Sequence, residues 1–176
     1  SLLLAAQLGV GACAASAFDA AYYAETNPDV AAACGTEEKA LLQHYLSSGQ
    51  AEGRKPSARG KAGDSLNLTN EQIALVWSPV PLKDLANYKS LKKKMTDEQY
   101  QAAYQEAVNL VLPVALSSRE EQLTYIAAAL RERFDSGMSY SMDADHYNDP
   151  YGYFVLGSAS CAGCTRATGL CLNVLG

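Results

Sequence analysis

Three capping boxes constrain the fold of this chain more strongly than any other feature of its sequence. In such a box a Ser or Thr side chain caps the start of a helix, and a Glu or Gln three residues later bonds back to the cap. Apolar residues at helical spacing follow the second and third boxes, and Pro113 and Gly137 stop those runs. These signals predict a short helix after Thr69 and longer helices over residues 97–112 and 119–134. The three pairs are Thr69 with Gln72, Thr96 with Gln99, and Ser118 with Glu121.

Composition and charge restrict the class of protein. The 176 residues are 48% hydrophobic and 19% charged, which is typical of a globular chain long enough for one domain, or for a small module plus part of a domain. The net charge of -5 and the lack of a basic stripe with interleaved aromatics argue against a nucleic-acid partner. The one basic run, Lys92 to Lys94, is interpreted as a solvated face.

Residues 1–17 are interpreted as the remnant of a secretory signal peptide. No charged residue precedes Asp19, the apolar run is too short to span a bilayer, and Ala15-Ser16-Ala17 fits a cleavage site. Because the sequence has neither an initiator Met nor a charged leader, we expect it to begin inside the signal peptide. Two alternatives stay open, a lipobox that would lipidate Cys13 and a structural first helix. A secreted or cell-surface location is the expectation.

Residues 18–57 are predicted to form a small helical module. Residues 58–65 are rich in Gly, Ser and charged residues, and they are predicted to form a linker to residues 66–176. The motifs of the module are Phe18-Asp19-x-x-Tyr22-Tyr23, Asn27-Pro28-Asp29-Val30, His44-Tyr45, Gly49, Glu52-Gly53-Arg54 and Pro56-Ser57. On these motifs it resembles a short module found in secreted and surface proteins of bacteria. The resemblance favours association with the cell surface, by attachment or spacing.

Three of the five cysteines lie in one short stretch, which suggests local chemistry rather than a disulfide framework. Ser160 is a good N-cap, so Cys161 is predicted to lie in the first turn of a last helix. The N–H groups and partial positive charge at a helix N-terminus favour the nucleophilic thiolate and can hold an oxyanion. Gly163 would let a substrate or another backbone approach closely. The aromatic and apolar segment 151–156 is predicted to be a strand or a wall of a cleft.

A second set of motifs runs from the third predicted helix to Gly176: Leu130-Arg131, Asp135-Ser136-Gly137-Met138-x-Tyr140-Ser141, Asp149-Pro150-Tyr151-Gly152, Ala159-Ser160-Cys161-Ala162-Gly163 and Leu172-x-x-Leu175-Gly176. On these motifs the stretch from about Glu120 to Gly176 resembles the N-terminal half of a transglutaminase-like domain of bacterial secreted proteins. Residues 66–119 are its helical lead-in, which matches less specifically, so the domain is assigned to residues 66–176. The resemblance implies an α+β fold with a papain-like transglutaminase core, of which only the helical, nucleophile-bearing half is present. It implies acyl transfer to water or an amine through a thioester on Cys161, acting on a protein or peptide without metal or organic cofactor.

Four further residues are candidates for the oxyanion hole or the cleft: Ala162, Gly163, Tyr151 and Tyr153. The family's catalytic His and Asp follow the nucleophile helix, so they cannot be placed in this sequence, and the fragment itself is expected to be inactive. His146 precedes the nucleophile. It is interpreted as a loop residue or, alternatively, as part of the lining of the cleft.

Other interpretations of this region stay open. Cys161-x-x-Cys164 at a helix start has the form of a dithiol redox site, and Cys161 could also be an inert structural residue. Cys164 and Cys171 are about 10 Å apart by helical rise, so they cannot share a zinc ion while the helix is intact. Both are interpreted as buried small hydrophobes. The competing function is a non-catalytic surface-binding module on a degenerate transglutaminase-like fold.

Overall fold

Two units make up the chain: one ends at Val76, and the other comprises Trp77–Gly176. The structure, a computed structural model, describes residues 15–92 and 94–176. Most of the predicted signal peptide lies outside these residues. Of its final residues, Ser16 is bonded within the first unit, where its N–H donates to the Ser65 carbonyl at 2.9 Å. No helix in the two described ranges is long and apolar enough to cross a membrane.

In residues 15–76, the described part of the first unit, there are four short helices and one π-helical turn. The helices are α1 (Ala20–Thr26), α2 (Pro28–Cys34), α3 (Glu38–His44) and α4 (Asn70–Val76), and the π turn Tyr45–Gly49 continues α3. As the sequence predicts, Asp19 caps α1 by accepting a backbone N–H, and Pro28 occupies the first position of α2. The core contains three aromatic rings with centroids 5.4 to 5.9 Å apart, those of Phe18, Tyr23 and Tyr45. Val30, Leu41 and Leu42 complete this core.

An arginine clamp ties the start of α2 to the turn after α3. The Arg54 guanidinium donates two hydrogen bonds to the Asp29 carboxylate, at 3.1 and 2.8 Å, and one to the Asn27 side-chain oxygen at 2.8 Å. Its Nε donates to Glu52 at 2.5 Å. The hydrogen bond from Arg54 lowers the pKa of the Asp29 carboxyl from its ordinary value of 3.8. Two of the motifs that define the module, Asn27-Pro28-Asp29 and Glu52-Gly53-Arg54, therefore have a structural function.

The boundary between the units lies later than composition predicts. Residues 58–65 are bonded into the first unit: the Gly63 N–H donates to the Arg54 carbonyl at 3.0 Å, and the Tyr45 hydroxyl donates to the Asp64 carbonyl at 2.6 Å. Residues 66–76 also belong there, since Leu66, Leu68 and Val76 pack on the first-unit core. The glycines of 58–65 reflect tight turns rather than a free linker, as the φ of 71° at Gly63 shows.

Three long helices dominate the second unit. The helices α6 (Asp97–Val111), α7 (Arg119–Asp135) and α8 (Cys161–Leu175) begin at the predicted caps Thr96, Ser118 and Ser160, and a short helix, α5 (Tyr88–Lys92), precedes them. Both capping boxes predicted for α6 and α7 are formed. Two 3-10 turns, Leu82–Asp84 and Leu112–Val114, flank α5 and α6. α8 packs against both α6 and α7.

The apolar faces of α6 and α8 are buried, whereas part of the apolar stripe of α7 is exposed to solvent. α6 buries Tyr100, Ala103, Tyr104, Ala107 and Val111. α8 buries Gly163, Ala167, Leu170, Cys171 and Val174. On α7, Ile126 and Leu130 are buried, but Leu123 is 48% exposed and Ala127 is also exposed. Periodicity marks the direction of an apolar face, and only the packing partners decide how much of it is covered.

A two-stranded parallel sheet joins the segments that flank the loop before α8. Strand β1 (Ser139–Tyr140) pairs with β2 (Ser158–Ala159). Of the two structures expected for segment 151–156, a strand or a wall of a cleft, the strand is wrong, because Gly152–Leu156 forms a π-helical turn. Asp149 starts this turn by accepting the N–H groups of Tyr151 and Gly152. With 61% helix and one small sheet the chain is α+β.

Substituting Arg54 by Ala is expected to loosen the first unit locally, because it removes hydrogen bonds to α2 and to Glu52 together. Amide hydrogen exchange of peptides that cover α2 should accelerate, whereas Arg59→Ala, at an exposed arginine of the same unit, should change little. Because the pKa of Asp29 is lowered in the folded state, the clamp stabilises the fold fully above pH 3.8. This stabilisation is lost as the pH falls through the folded-state pKa of Asp29. The difference between variant and wild type should therefore shrink in acid. Equal exchange at neutral pH would contradict the clamp.

Limited proteolysis is expected to separate the two units near Ser78. This residue is exposed and lies outside secondary structure, where proteases cut first, whereas Val80 is already bonded to the second unit through its N–H and its carbonyl. Residues 58–65 should be protected, since their hydrogen bonds hold them on the first unit. Mass spectrometry of early digestion products checks this, and first cleavage within 58–65 would show that those residues are a linker after all.

Candidate active site

Cys161 begins α8 with its side chain exposed to solvent. The residue before it, Ser160, is buried and extended, with φ -88° and ψ 179°, and its hydroxyl accepts the Gly163 N–H at 3.5 Å. Ser160 therefore caps the helix as the sequence predicts. The cap leaves Cys161 in the first turn, where the partial positive charge of the helix stabilises a negative group.

The first-turn N–H groups differ in what they can bind. Those of Cys161 and Ala162 have no intrahelical partner, because a helix leaves its first donors unpaired. The N–H of Gly163 is committed to the Ser160 hydroxyl, and Gly163 itself is buried. Ala162 and Cys161 are therefore the better candidates for an oxyanion site, and Gly163 contributes through packing instead.

The three cysteines of α8 differ sharply in their surroundings. Burial raises the pKa of the Cys171 thiol to about 12, so this group stays protonated at neutral pH. Burial also raises the pKa of Cys164, which is half-buried one turn below Cys161. Cys161 alone among them is exposed. Within residues 15–92 and 94–176, no group of three or more His, Cys, Asp or Glu side chains could hold a metal ion.

The loop of residues 146–149 packs against the start of α8. The Tyr147 carbonyl accepts the Ser160 N–H at 2.7 Å, and the Asn148 carbonyl accepts a hydrogen bond from the Arg166 guanidinium. Gly163 permits this approach, since a Cβ there would lie 2.5 Å from the Tyr147 carbonyl oxygen. This loop therefore sets the position of the cap and of the nucleophile candidate that follows it.

Within this loop, His146 is held by a hydrogen-bond network that sequence patterns did not reveal. Its Nδ1 lies 2.7 Å from the Asp149 carboxylate, and its Nε2 lies 3.0 Å from the side-chain nitrogen of Gln99 on α6. Asp149 is only 1% exposed. His146 adopts a φ of 60°, a value found at no other non-glycine residue in the described part of the chain. One signal was available: Asp149 followed by Pro150 is typical of a helix start, which predicts an ordered turn here.

The two tyrosine candidates for the cleft occupy different environments. Tyr151 is half-buried, and its ring stands edge-on to the His146 imidazole with centroids 5.1 Å apart. Tyr153 belongs to the core, where its hydroxyl donates to the Leu130 carbonyl at 2.6 Å and burial raises its pKa to about 12. Its ring also lines a cavity of about 240 Å³ beside Cys164. Tyr151 thus belongs with the loop that positions Cys161, and Tyr153 with the core beneath it.

Gly163→Ala is expected to destabilise the second unit by about 1–3 kcal/mol, the usual cost of overpacking, because its Cβ would meet the Tyr147 carbonyl. Gly169→Ala on the same helix is the matched control, since its nearest neighbour, the Asn87 side-chain nitrogen, would be 4.0 Å away. That control should be neutral or stabilising by up to about 1 kcal/mol through helix propensity. Denaturant melts check both, and equal effects of the two substitutions would exclude the close approach.

Comparison with known proteins gives no information about this site. No protein family, curated protein or solved structure matches this chain.

Proposed function

We propose that this chain carries the nucleophile of a cysteine-dependent acyl transfer of the transglutaminase or amidase type, with Cys161 as the attacking thiolate. One observation carries the proposal: Cys161 is exposed at the capped N-terminus of a 15-residue helix, whereas on the same helix Cys164 is half-buried and Cys171 is buried. The thiolate is the reactive form of cysteine, and a helix N-terminus stabilises it.

In the proposed reaction the Cys161 sulfur attacks the carbonyl carbon of a carboxamide or peptide. A carbon–sulfur bond forms while the carbonyl π electrons move to oxygen, and the N–H groups of Cys161 and Ala162 stabilise that oxyanion. Collapse of the tetrahedral species expels ammonia or an amine, which takes up a proton from a general acid. Water or a primary amine then attacks the thioester, forms the acid or amide, and returns the thiol.

The wider setting of the reaction is also part of this proposal. The papain-like arrangement requires an imidazole and a carboxylate in addition to the nucleophile. In the family that the sequence resembles these groups follow the nucleophile helix, so we assign neither role to a residue in the described part of the chain. We propose a protein or peptide substrate outside the cell or at its surface, with the first unit serving attachment or spacing. This part is supported by the sequence resemblances and by the fact that the motifs of the first unit build a stable clamp rather than a catalytic group.

Alkylation by iodoacetamide near neutral pH is expected to label Cys161 faster than Cys164, and at least about tenfold faster than Cys171. The reason is that burial raises the pKa of the Cys164 thiol and raises that of the Cys171 thiol to about 12, so both form less of the reactive thiolate. Peptide mapping by mass spectrometry gives the rate at each site. The chain also offers a control for exposure, because Cys34 is exposed but ends α2 instead of beginning a helix.

If the helix terminus activates Cys161, its rate should exceed that of Cys34, where the carbonyl end of a helix disfavours negative charge. Cys161→Ser should abolish the fast phase, and Cys164→Ser should retain it. Labelling directed mainly to Cys164 or Cys171, or equal rates at Cys161 and Cys34, would falsify the assignment of Cys161 as the nucleophile.

A further inference from the structure

The start of α8 is connected to α6 through a chain of three polar side chains: Asp149, His146 and Gln99. Asp149 is buried and accepts the N–H groups of Tyr151 and Gly152 through one carboxylate oxygen, at 3.0 and 3.2 Å. Its other oxygen faces His146 Nδ1 at 2.7 Å. His146 Nε2 in turn faces the Gln99 side chain at 3.0 Å. The next residue along the chain, Tyr147, accepts the N–H of the cap.

The network determines which imidazole nitrogen carries the proton. The Gln99 side-chain oxygen accepts the Thr96 N–H at 2.9 Å as part of the capping box of α6, so its NH2 group must face His146. Nε2 of His146 is therefore an acceptor, and Nδ1–H donates to Asp149. A proton added at Nε2 would point at another donor, so protonation opposes the contact with Gln99 while leaving the contact with Asp149 intact.

We propose that His146 is a positioning residue for Cys161, which holds the cap of the nucleophile helix in register while its imidazole is neutral and releases the tie to α6 when the imidazole is protonated. This inference rests on the proposed function, because it concerns the reactivity of the same thiol. The tie acts through the backbone: it fixes Tyr147, whose carbonyl binds Ser160 N–H, and the cap then holds the first turn that presents Cys161. Acid would thus lower the reactivity of Cys161 beyond the simple loss of thiolate.

Several groups surround the imidazole and set the direction of this response. Asp149 is the charged group in direct contact, and Asp143 and Asp145 flank it in the loop. From α6 the neighbour is the neutral Gln99, and the Tyr151 ring lies edge-on. On α8 the charged side chain that is hydrogen-bonded to this loop is Arg166, which donates to the Asn148 carbonyl. A proton at Nε2 would meet the Gln99 NH2 group, which cannot accept it, whereas the contact of Nδ1–H with Asp149 would remain.

Two substitutions separate the tie from the fold of the loop. His146→Asn keeps a side chain that tolerates positive φ and can still donate to Asp149, but it does not titrate and cannot reach Gln99 as the imidazole does. Gln99→Glu keeps the capping box, in which Glu serves as well as Gln, and replaces the donor that faces His146 with an acceptor. A protonated imidazole can then bond to both neighbours, so the tie should persist in acid.

The test is the rate of Cys161 alkylation by iodoacetamide between about pH 5 and 8, the range in which histidine titrates. The informative quantity is the rate in the wild type divided by the rate in His146→Asn, since loss of thiolate cancels in this ratio. At pH 8 we expect the wild type to react about three- to tenfold faster, the range expected when one hydrogen bond is lost. The ratio should approach one at pH 5. The rate in Gln99→Glu divided by the rate in His146→Asn should stay high at pH 5.

The outcomes distinguish this inference from the proposed function. A ratio that does not change with pH, or that changes equally in Gln99→Glu, would overturn the positioning role of His146 while leaving Cys161 as the nucleophile. Labelling that avoids Cys161 at every pH would instead overturn the proposed function. Circular dichroism of each variant across the same pH range confirms that the fold is retained, so that a change in the ratio reports on the loop.

Discussion

The hydrogen bond from the Ser160 N–H to the Tyr147 carbonyl, at 2.7 Å, is the contact on which the rest of the candidate site depends. It anchors the cap of α8 to the preceding loop, and it can form only because Gly163 leaves space for the carbonyl. The loop is itself ordered by the buried Asp149, whose carboxylate is satisfied by two backbone N–H groups and His146. Because these buried polar groups have partners, the turn avoids the desolvation cost that would otherwise unfold it.

Structural features that depend on residues three or four positions apart could be predicted from the sequence, because their physical cause is local. The boxes at Thr96 and Ser118 form as expected, and Ser160 caps the helix that begins at Cys161. A cap is a bond between close neighbours in sequence, so tertiary packing seldom overrides it. The first turn of α8, and with it the location of the candidate nucleophile, follows from this local chemistry.

Features that depend on distant partners could not be predicted in the same way. The network around His146 joins it to Gln99, 47 residues earlier in the chain. Residues 66–76 join the first unit because Leu66, Leu68 and Val76 find its core, and composition carries no information about that choice. Leu123 follows helical periodicity but stays exposed, since the structure places no neighbour over it. In each case the presence or absence of a contact remote in sequence decides the outcome.

Packing and hydrogen bonding account for several of the residues that were singled out as motifs in the sequence. Gly163 makes room for a carbonyl, Gly152 lies against the His146 and Ser158 carbonyls, and Asp149 satisfies the N–H groups of a buried turn. Cys161 differs from them, because its side chain is exposed and contributes nothing to the core. The first turn of a helix accepts many residue types, so the fold does not require a thiol there. Since neither the core nor the helix requires a thiol at this position, the proposed function rests on Cys161 and on its place beside the N–H groups of the first turn.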